Sequence, residues 1–156
     1  MSGYAVPAFE FAPSLLPVGG AAVQQSQSLP LHSDEHVVML RKVVRERAIE
    51  LQFGLVDQTK LITAASEIAR NTLKYGGGGE VRLQNLVTGA KVGICLTFVD
   101  DGPGIVDMER AMTDGYTSGG GLGLGLGGAR RLVDDFEICT QPGKGTAVIL
   151  IKWKRC

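Results

Sequence analysis

The sequence has no Cys-x-x-Cys pair, only two histidines, no excess of either charge and no long apolar run. Each absence excludes a class of function. Cys95, Cys139 and Cys156 are odd in number for a disulfide framework, and Cys95 and Cys139 lie in apolar runs, so a reducing cytoplasm is the expected setting. His32 and His36 stand four apart without a further cluster of ligands; they read as surface residues, and no catalytic triad can be drawn. Sixteen Lys and Arg balance sixteen Asp and Glu, so no overall field draws the chain to nucleic acid or to an anionic membrane. No apolar stretch approaches the ~18 residues of a membrane span, and residues 1–30 hold no Lys or Arg to begin a signal peptide. The expected molecule is soluble and unprocessed, and its 156 residues suffice for one domain with a real core.

Turning to what is there, residues 1–28 carry Pro7, Pro13, Pro17, the Gly19-Gly20 pair and a Gln/Ser run with Glu10 as their one charge, the pattern of a flexible extension. A short strand is expected at Leu29–Leu31. Ser33 and Asp34 then cap a helix over 35–52 whose buried stripe is Val37, Leu40, Val44 and Ile49, ended by Gly54. A second helix is expected over 57–75, with Leu61, Ala65, Ile68 and Thr72 on one face and Gly76 to Gly79 as its stop. Residues 80–86 and 91–99 alternate as strands around a Thr88-Gly89-Ala90 turn. Beyond them come a short helix near 106–112, a glycine-rich loop, a helix over 124–135, and strands over 136–140 and 146–154 joined by Pro142 to Gly145. The fold class is α+β, a two-layer sandwich of a mixed, mainly antiparallel sheet with helices on one face.

Three short stretches carry chemistry. Glu67 and Asn71 are four apart on the second helix and share a face, with Arg70 and Lys74 beside them. An amide oxygen suits Mg²⁺, which keeps several waters and takes few protein ligands, and a carboxylate one turn away can orient or deprotonate an attacking hydroxyl. Asp100 stands where an apolar strand meets Gly102, Pro103 and Gly104, which force a turn and leave the carboxylate at the lip of the sheet. There it can accept from the N6 amine of adenine and oppose the O6 of guanine. Between Gly119 and Gly128 lie seven glycines at the start of a helix, where backbone N–H groups and the positive helix end make an anion site. Gly123, Gly125 and Gly128 also fit the dinucleotide fingerprint, but no parallel βαβ unit surrounds them. Gly143-Lys144-Gly145-Thr146 lacks the upstream glycine spacing of a Walker A loop.

In order and spacing the three resemble the N, G1 and G2 boxes of the ATPase and kinase superfamily, also called GHKL or Bergerat-fold, that includes Hsp90, gyrase B, MutL and the histidine kinases. The stretches Val56 to Lys60, Ser66 to Asn71, Leu132 to Ile138 and Lys152 to Lys154 are similar to those of the RsbT-like switch kinases of bacterial stress signalling. The resemblance covers about residues 29–155 and implies an ATP-binding kinase domain over 29–156 after an extension over 1–28. It implies Glu67 as catalytic base and Asn71 as Mg²⁺ ligand. It further implies that ATP is held by Asn71, Lys74, Asp100, Gly102, Gly104, Ile105, Gly121, Gly123, Leu124, Gly125 and Thr146. The implied activity is phosphorylation of Ser or Thr on STAS-domain proteins, followed by activation of a PP2C-type phosphatase through binding. A second class of function is a regulatory module that binds nucleotide without turnover and acts by contact alone.

Overall fold

A computed structural model describes residues 22–104 and 125–155. The expected helix near 106–112, most of the glycine loop and residues 1–21 of the extension lie outside the described residues. Five strands form one sheet, β1 (Ala22–Leu31), β2 (Gly79–Thr88), β3 (Lys91–Asp100), β4 (Asp135–Gln141) and β5 (Gly145–Trp153), in the order β1-β2-β3-β5-β4. All four pairings are antiparallel. Three helices, α1 (Asp34–Glu50), α2 (Leu55–Gly76) and α3 (Gly125–Leu132), complete the described fold.

The core lies between helices and sheet. Alternation sends Val81 and Leu83 of β2, Ile94, Leu96 and Phe98 of β3, and Val148 and Leu150 of β5 to the helical face. They meet Leu40 and Val44 of α1, Leu61, Ala65 and Ile68 of α2, and Leu126 and Ala129 of α3. The α+β sandwich read from the sequence is the fold observed, and its antiparallel ladders leave no place for a dinucleotide βαβ unit.

Local chemistry explains the element ends. Ser33 caps α1 by accepting from the His36 N–H at 3.4 Å, with Asp34 and Glu35 in the first turn. His36 in turn accepts the His32 N–H on Nδ1 at 2.9 Å. The end of α1 differs from expectation: Leu51 is its cap, Gln52 takes φ 63°, and Gly54 is instead the cap that begins α2. Gly77 at φ 75° closes α2 in the left-handed conformation that favours glycine.

Two further expectations need correction. Ile49 is 54 % exposed, because twelve residues after Val37 a helix has turned about 120° off the stripe. Arg47 and Ala48 take the buried place instead. The first strand is ten residues long rather than three, so residues 22–28, read as part of the extension, belong to the sheet. What holds them is polar. The buried Arg47 guanidinium donates to Asn85 Oδ1 at 2.8 Å and to Gln27 Oε1 at 2.5 Å, while Asn85 donates to Gln25 Oε1 at 3.0 Å. Glutamines facing inward erase the hydrophobic alternation that marks a strand. Pro30 is tolerated because β1 is an edge.

Candidate functional site

Helix α2 is the ruler of the site. Its C-terminal residue Gly76 abuts the end of β3, and Glu67 lies nine residues upstream, about 13 Å along the axis. Asn71 stands between them, half-buried, and Lys74 is exposed.

At the lower end, glycines let backbone and carboxylate meet. A Cβ on Gly76 would fall 2.5 Å from Asp100 Oδ2, and one on Gly102 would fall 2.7 Å from the Cα of Gly76. Gly104, at φ 78°, sits against the Gln141 carbonyl, where a Cβ would come within 2.5 Å. The turn after Asp100 is thus wedged between the end of α2 and the β4–β5 hairpin, and Gly143 ties it there by donating to the Pro103 carbonyl at 2.7 Å.

Asp100 is 8 % exposed. Its Oδ1 accepts the Gly102 N–H at 2.9 Å. Burial pushes its carboxyl up to about 6, against the opposing pull of backbone N–H groups from Gly102 and Thr146 and with a small push from the Asp101 charge. Desolvation wins because two amide donors replace only part of the lost hydration. Thr146 faces Asp100 across the β3–β5 ladder, and its hydroxyl lies 3.0 Å from that of Thr140.

At the upper end, Glu67 is 3 % exposed. Its Oε2 accepts the Gly125 N–H at 3.2 Å, at the very start of α3. Among the described residues its Oε1 has no partner, and neither has Arg70 Nη1 three residues on; both atoms are buried. Native structures rarely leave such atoms unpaired, so each marks a place where a ligand or water completes the set. An acceptor and a cationic donor with spare valence, beside the N–H end of a helix, fit a metal–phosphate group. The buried acceptor at Asp100, about 13 Å away along α2, fits an amine-bearing base.

Comparison with known proteins gives the family. Residues 56–155 match the family described as "Histidine kinase-, DNA gyrase B-, and HSP90-like ATPase". The chain belongs to that family. Among curated relatives, it is 42 % identical over 119 residues to "Serine/threonine-protein kinase RsbT" of Bacillus subtilis, covering 76 % of this chain and 90 % of the relative. It is 28 % identical over 129 residues to "Anti-sigma F factor" of a Thermoanaerobacter species, covering 79 % and 89 %. Among solved structures, the RsbU and RsbW domains of a Mycobacterium tuberculosis protein align with a TM-score of 0.57 at 18 % identity, over 85 % of this chain and 34 % of that one; this likeness concerns the fold alone. The chain is an RsbT-like kinase of the family.

Of the residues expected at an ATPase-family site, the structure gathers Asp100, Gly102, Gly104 and Thr146 at the C-terminal end of α2, and Glu67 and Gly125 near the middle of that helix. Ile105, Gly121, Gly123 and Leu124 lie outside the described residues. Gly76 and Gly145 were missed as site residues. Gly76 reads as a helix stop, yet it also vacates the space of the Asp100 carboxylate; Gly145, at φ 118°, vacates space beside the Asp100 and Asp101 backbone. Arg70 was noted only as a neighbour. The signal for it was its place within Glu67-x-x-x-Asn71, but spacing cannot show which atoms are left unpaired. Among the described residues no cluster of three His, Cys, Asp or Glu side chains is placed to hold a metal, and no helix is long and apolar enough to cross a membrane.

Proposed function

We propose that this kinase lays Mg²⁺·ATP along α2, with adenine against Asp100 and phosphates at the start of α3, and phosphorylates a Ser or Thr of a partner protein. Enzyme class rests on the family and on the 42 % identity to a serine/threonine kinase. The observation that carries the site is the pairing of a buried acceptor beside Gly76 with the half-satisfied Glu67 at Gly125, one length of helix apart.

ATP, as substrate, would supply the phosphoryl group, and Mg²⁺ would spread its negative charge. Asn71 would present its amide oxygen to the metal, one turn from Glu67. Glu67 Oε1, buried and unpaired, would hold the substrate hydroxyl and take its proton as the oxygen attacks. Asp100, ionised above pH ~6, accepts from an adenine amine and would face guanine O6 with a second acceptor. Gly102, Gly104 and Ile105 would shape the base pocket with Thr146 at its side. Lys74 and the glycines Gly121, Gly123 and Gly125, with Leu124 between them, would surround the phosphates.

For partners, we propose STAS-domain substrates first and a PP2C-type phosphatase or its regulatory region second, in a cytoplasmic partner switch. Support comes from relatives whose names are a serine/threonine kinase and an anti-sigma factor. Incubating the pure chain with labelled ATP or GTP and candidate STAS proteins tests both layers. Label should pass from ATP to Ser or Thr of a STAS protein. Equal nucleotide affinities would overturn the adenine assignment, and ATP binding without transfer to any STAS protein would overturn the substrate assignment.

A further inference from the structure

Three side chains form a polar row at one end of the inner sheet face. Asp100 of β3 pairs with Thr146 of β5, and Thr146 pairs in turn with Thr140 of β4. Two residues along each strand stand Phe98, Val148 and Ile138, which pack in the helical core, so alternation turns all three polar side chains to that same face. The row runs from the floor of the proposed base pocket to an edge strand of the sheet. Thr146 is 8 % exposed, and its backbone N–H donates to the Asp100 carboxylate. The family resemblance gives Thr146 a place near the base and leaves Thr140 without a role.

The hydroxyls of this row have one consistent direction. Thr140 Oγ1 lies 3.2 Å from the Gly145 carbonyl and 3.0 Å from Thr146 Oγ1. A carbonyl only accepts, and a hydroxyl has one proton to give. Both contacts are hydrogen bonds together only when Thr140 donates to Gly145 and Thr146 donates to Thr140. The Thr146 proton is then turned toward the sheet edge, and what its Oγ1 offers on the side of Asp100 is a lone pair. We infer that Thr140 is a positioning residue for base selection: it holds Thr146 as an acceptor, so that Asp100 and Thr146 together read the two N–H bonds of one exocyclic amine. This rests on the base pocket proposed above and adds a second acceptor to it. Size agrees. An amine that donates along two directions about 120° apart, at ~2.9 Å each, needs acceptors ~5 Å apart, and cross-strand neighbours such as Asp100 and Thr146 carry Cβ atoms about 4.5–5.5 Å apart. A keto oxygen in the place of the amine meets two acceptors and gains neither bond. Without the Thr140 hydroxyl, Thr146 can turn its proton to that oxygen, and half of the discrimination is lost.

The test is calorimetry on the full chain with ATP and with inosine triphosphate, which carries a keto oxygen in place of the N6 amine. The parent should prefer ATP; equal affinities would overturn the base pocket and this inference with it. Once that preference is measured, two substitutions part polarity from shape. Thr140→Val keeps the shape and loses the hydroxyl, and should lower the ATP-to-inosine-triphosphate affinity ratio about 10-fold. Thr140→Ser keeps the hydroxyl and loses the methyl, and should leave the ratio within about two-fold of the parent. A ratio unmoved by Thr140→Val would overturn the positioning role while the base pocket stands. So would a ratio lowered equally by Thr140→Ser, since packing would then be the cause. The route is read by adding Thr146→Val, in whose background Thr140→Val should change the ratio no further. A second drop of about 10-fold there would show that Thr140 acts otherwise than through Thr146, and would overturn the inference.

Discussion

The Asp100 carboxylate occupies the space that any side chain on Gly76 would need, so the end of α2 and the floor of the proposed base pocket are one steric unit. Gly76→Ala therefore carries opposed effects. Alanine is favoured over glycine inside a helix by up to ~1 kcal/mol, whereas overpacking costs about 1–3 kcal/mol. The added methyl meets Asp100 Cβ at 2.7 Å as well as the carboxylate, and the strand end has little room to retreat. Net destabilisation of about 1–2 kcal/mol is expected, with ATP affinity at least ~10-fold weaker because the acceptor is moved. Calorimetry and denaturant melts on one preparation measure both, and an unchanged ATP affinity would refute the steric coupling.

On the proposed site, Asp100 exchanges stability for recognition. Its carboxyl moves from 3.8 to about 6 on folding, so the folded state binds the proton more tightly than the unfolded chain. Below pH ~3 both states are protonated and the site costs nothing; the cost grows as pH rises from ~4 to ~6 and is constant above that. At pH 7 it is at most about 3 kcal/mol. Asp100→Asn should raise Tm by roughly 4–10 °C at pH 7.5 and by almost nothing at pH 3. Affinity for ATP runs the other way. At pH 5 about a tenth of the parent would hold the ionised acceptor, which predicts ~10-fold weaker binding than at pH 7. The variant serves as reference for the nucleotide's own titration, and parallel pH profiles for the two proteins would remove Asp100 from recognition.

How far the sequence could be read differs between the two ends of the site. Asp100 and its turn were legible because strand alternation, Asp, Gly and Pro each leave a local mark, and the two α2 faces were legible from the 3.6-residue period. Gly145 and the second role of Gly76 were not: both serve contacts between segments distant in sequence, which no local pattern encodes. Arg47 was hidden because a charged residue on a buried stripe breaks the period, and only the fold brings it to Asn85 and Gln27. The same network concealed most of β1, whose inward glutamines answer to Arg47 and not to hydrophobic alternation.

Glu67 and Asn71 should separate chemistry from binding. Glu67→Gln keeps size and retains an oxygen that can accept the Gly125 N–H, so fold and ATP affinity should change little. Loss of the base lowers phosphotransfer ~10²–10⁴-fold. Asn71→Ala should leave metal-free nucleotide binding intact and abolish the gain that Mg²⁺ confers. Single-turnover transfer with and without Mg²⁺ resolves the two, and a fully active Glu67→Gln protein would place the base elsewhere.

Lys152 lies on the inner face of β5 at the end far from the site, 2 % exposed, with its Nζ 3.4 Å from Asp57 Oδ1 and 3.5 Å from Asp134 Oδ1. It links the first turn of α2 to the segment between α3 and β4. Arg155 reaches the same two carboxylates at 3.5 and 3.4 Å, but its side chain is 65 % exposed and water screens much of its effect. Lys152→Met preserves the apolar stem and removes the charge, leaving Asp57 and Asp134 facing each other without their buried cation. Breaking such a pair costs about 3–5 kcal/mol, here discounted to roughly 3 because Asp134 is a quarter exposed and Arg155 remains, or a Tm lowered by about 6–12 °C. ATP affinity should stay within about two-fold, since Thr146 is six residues along β5, ~20 Å away. Adding Asp57→Asn and Asp134→Asn to Lys152→Met separates charge from packing: thermal melts should recover most of the lost stability, because the uncompensated carboxylates are gone while an amide oxygen still accepts the Trp153 N–H that Asp134 takes at 2.6 Å. A triple variant no more stable than Lys152→Met alone would show that the stem and its packing, not the ion cluster, hold this end of the sheet.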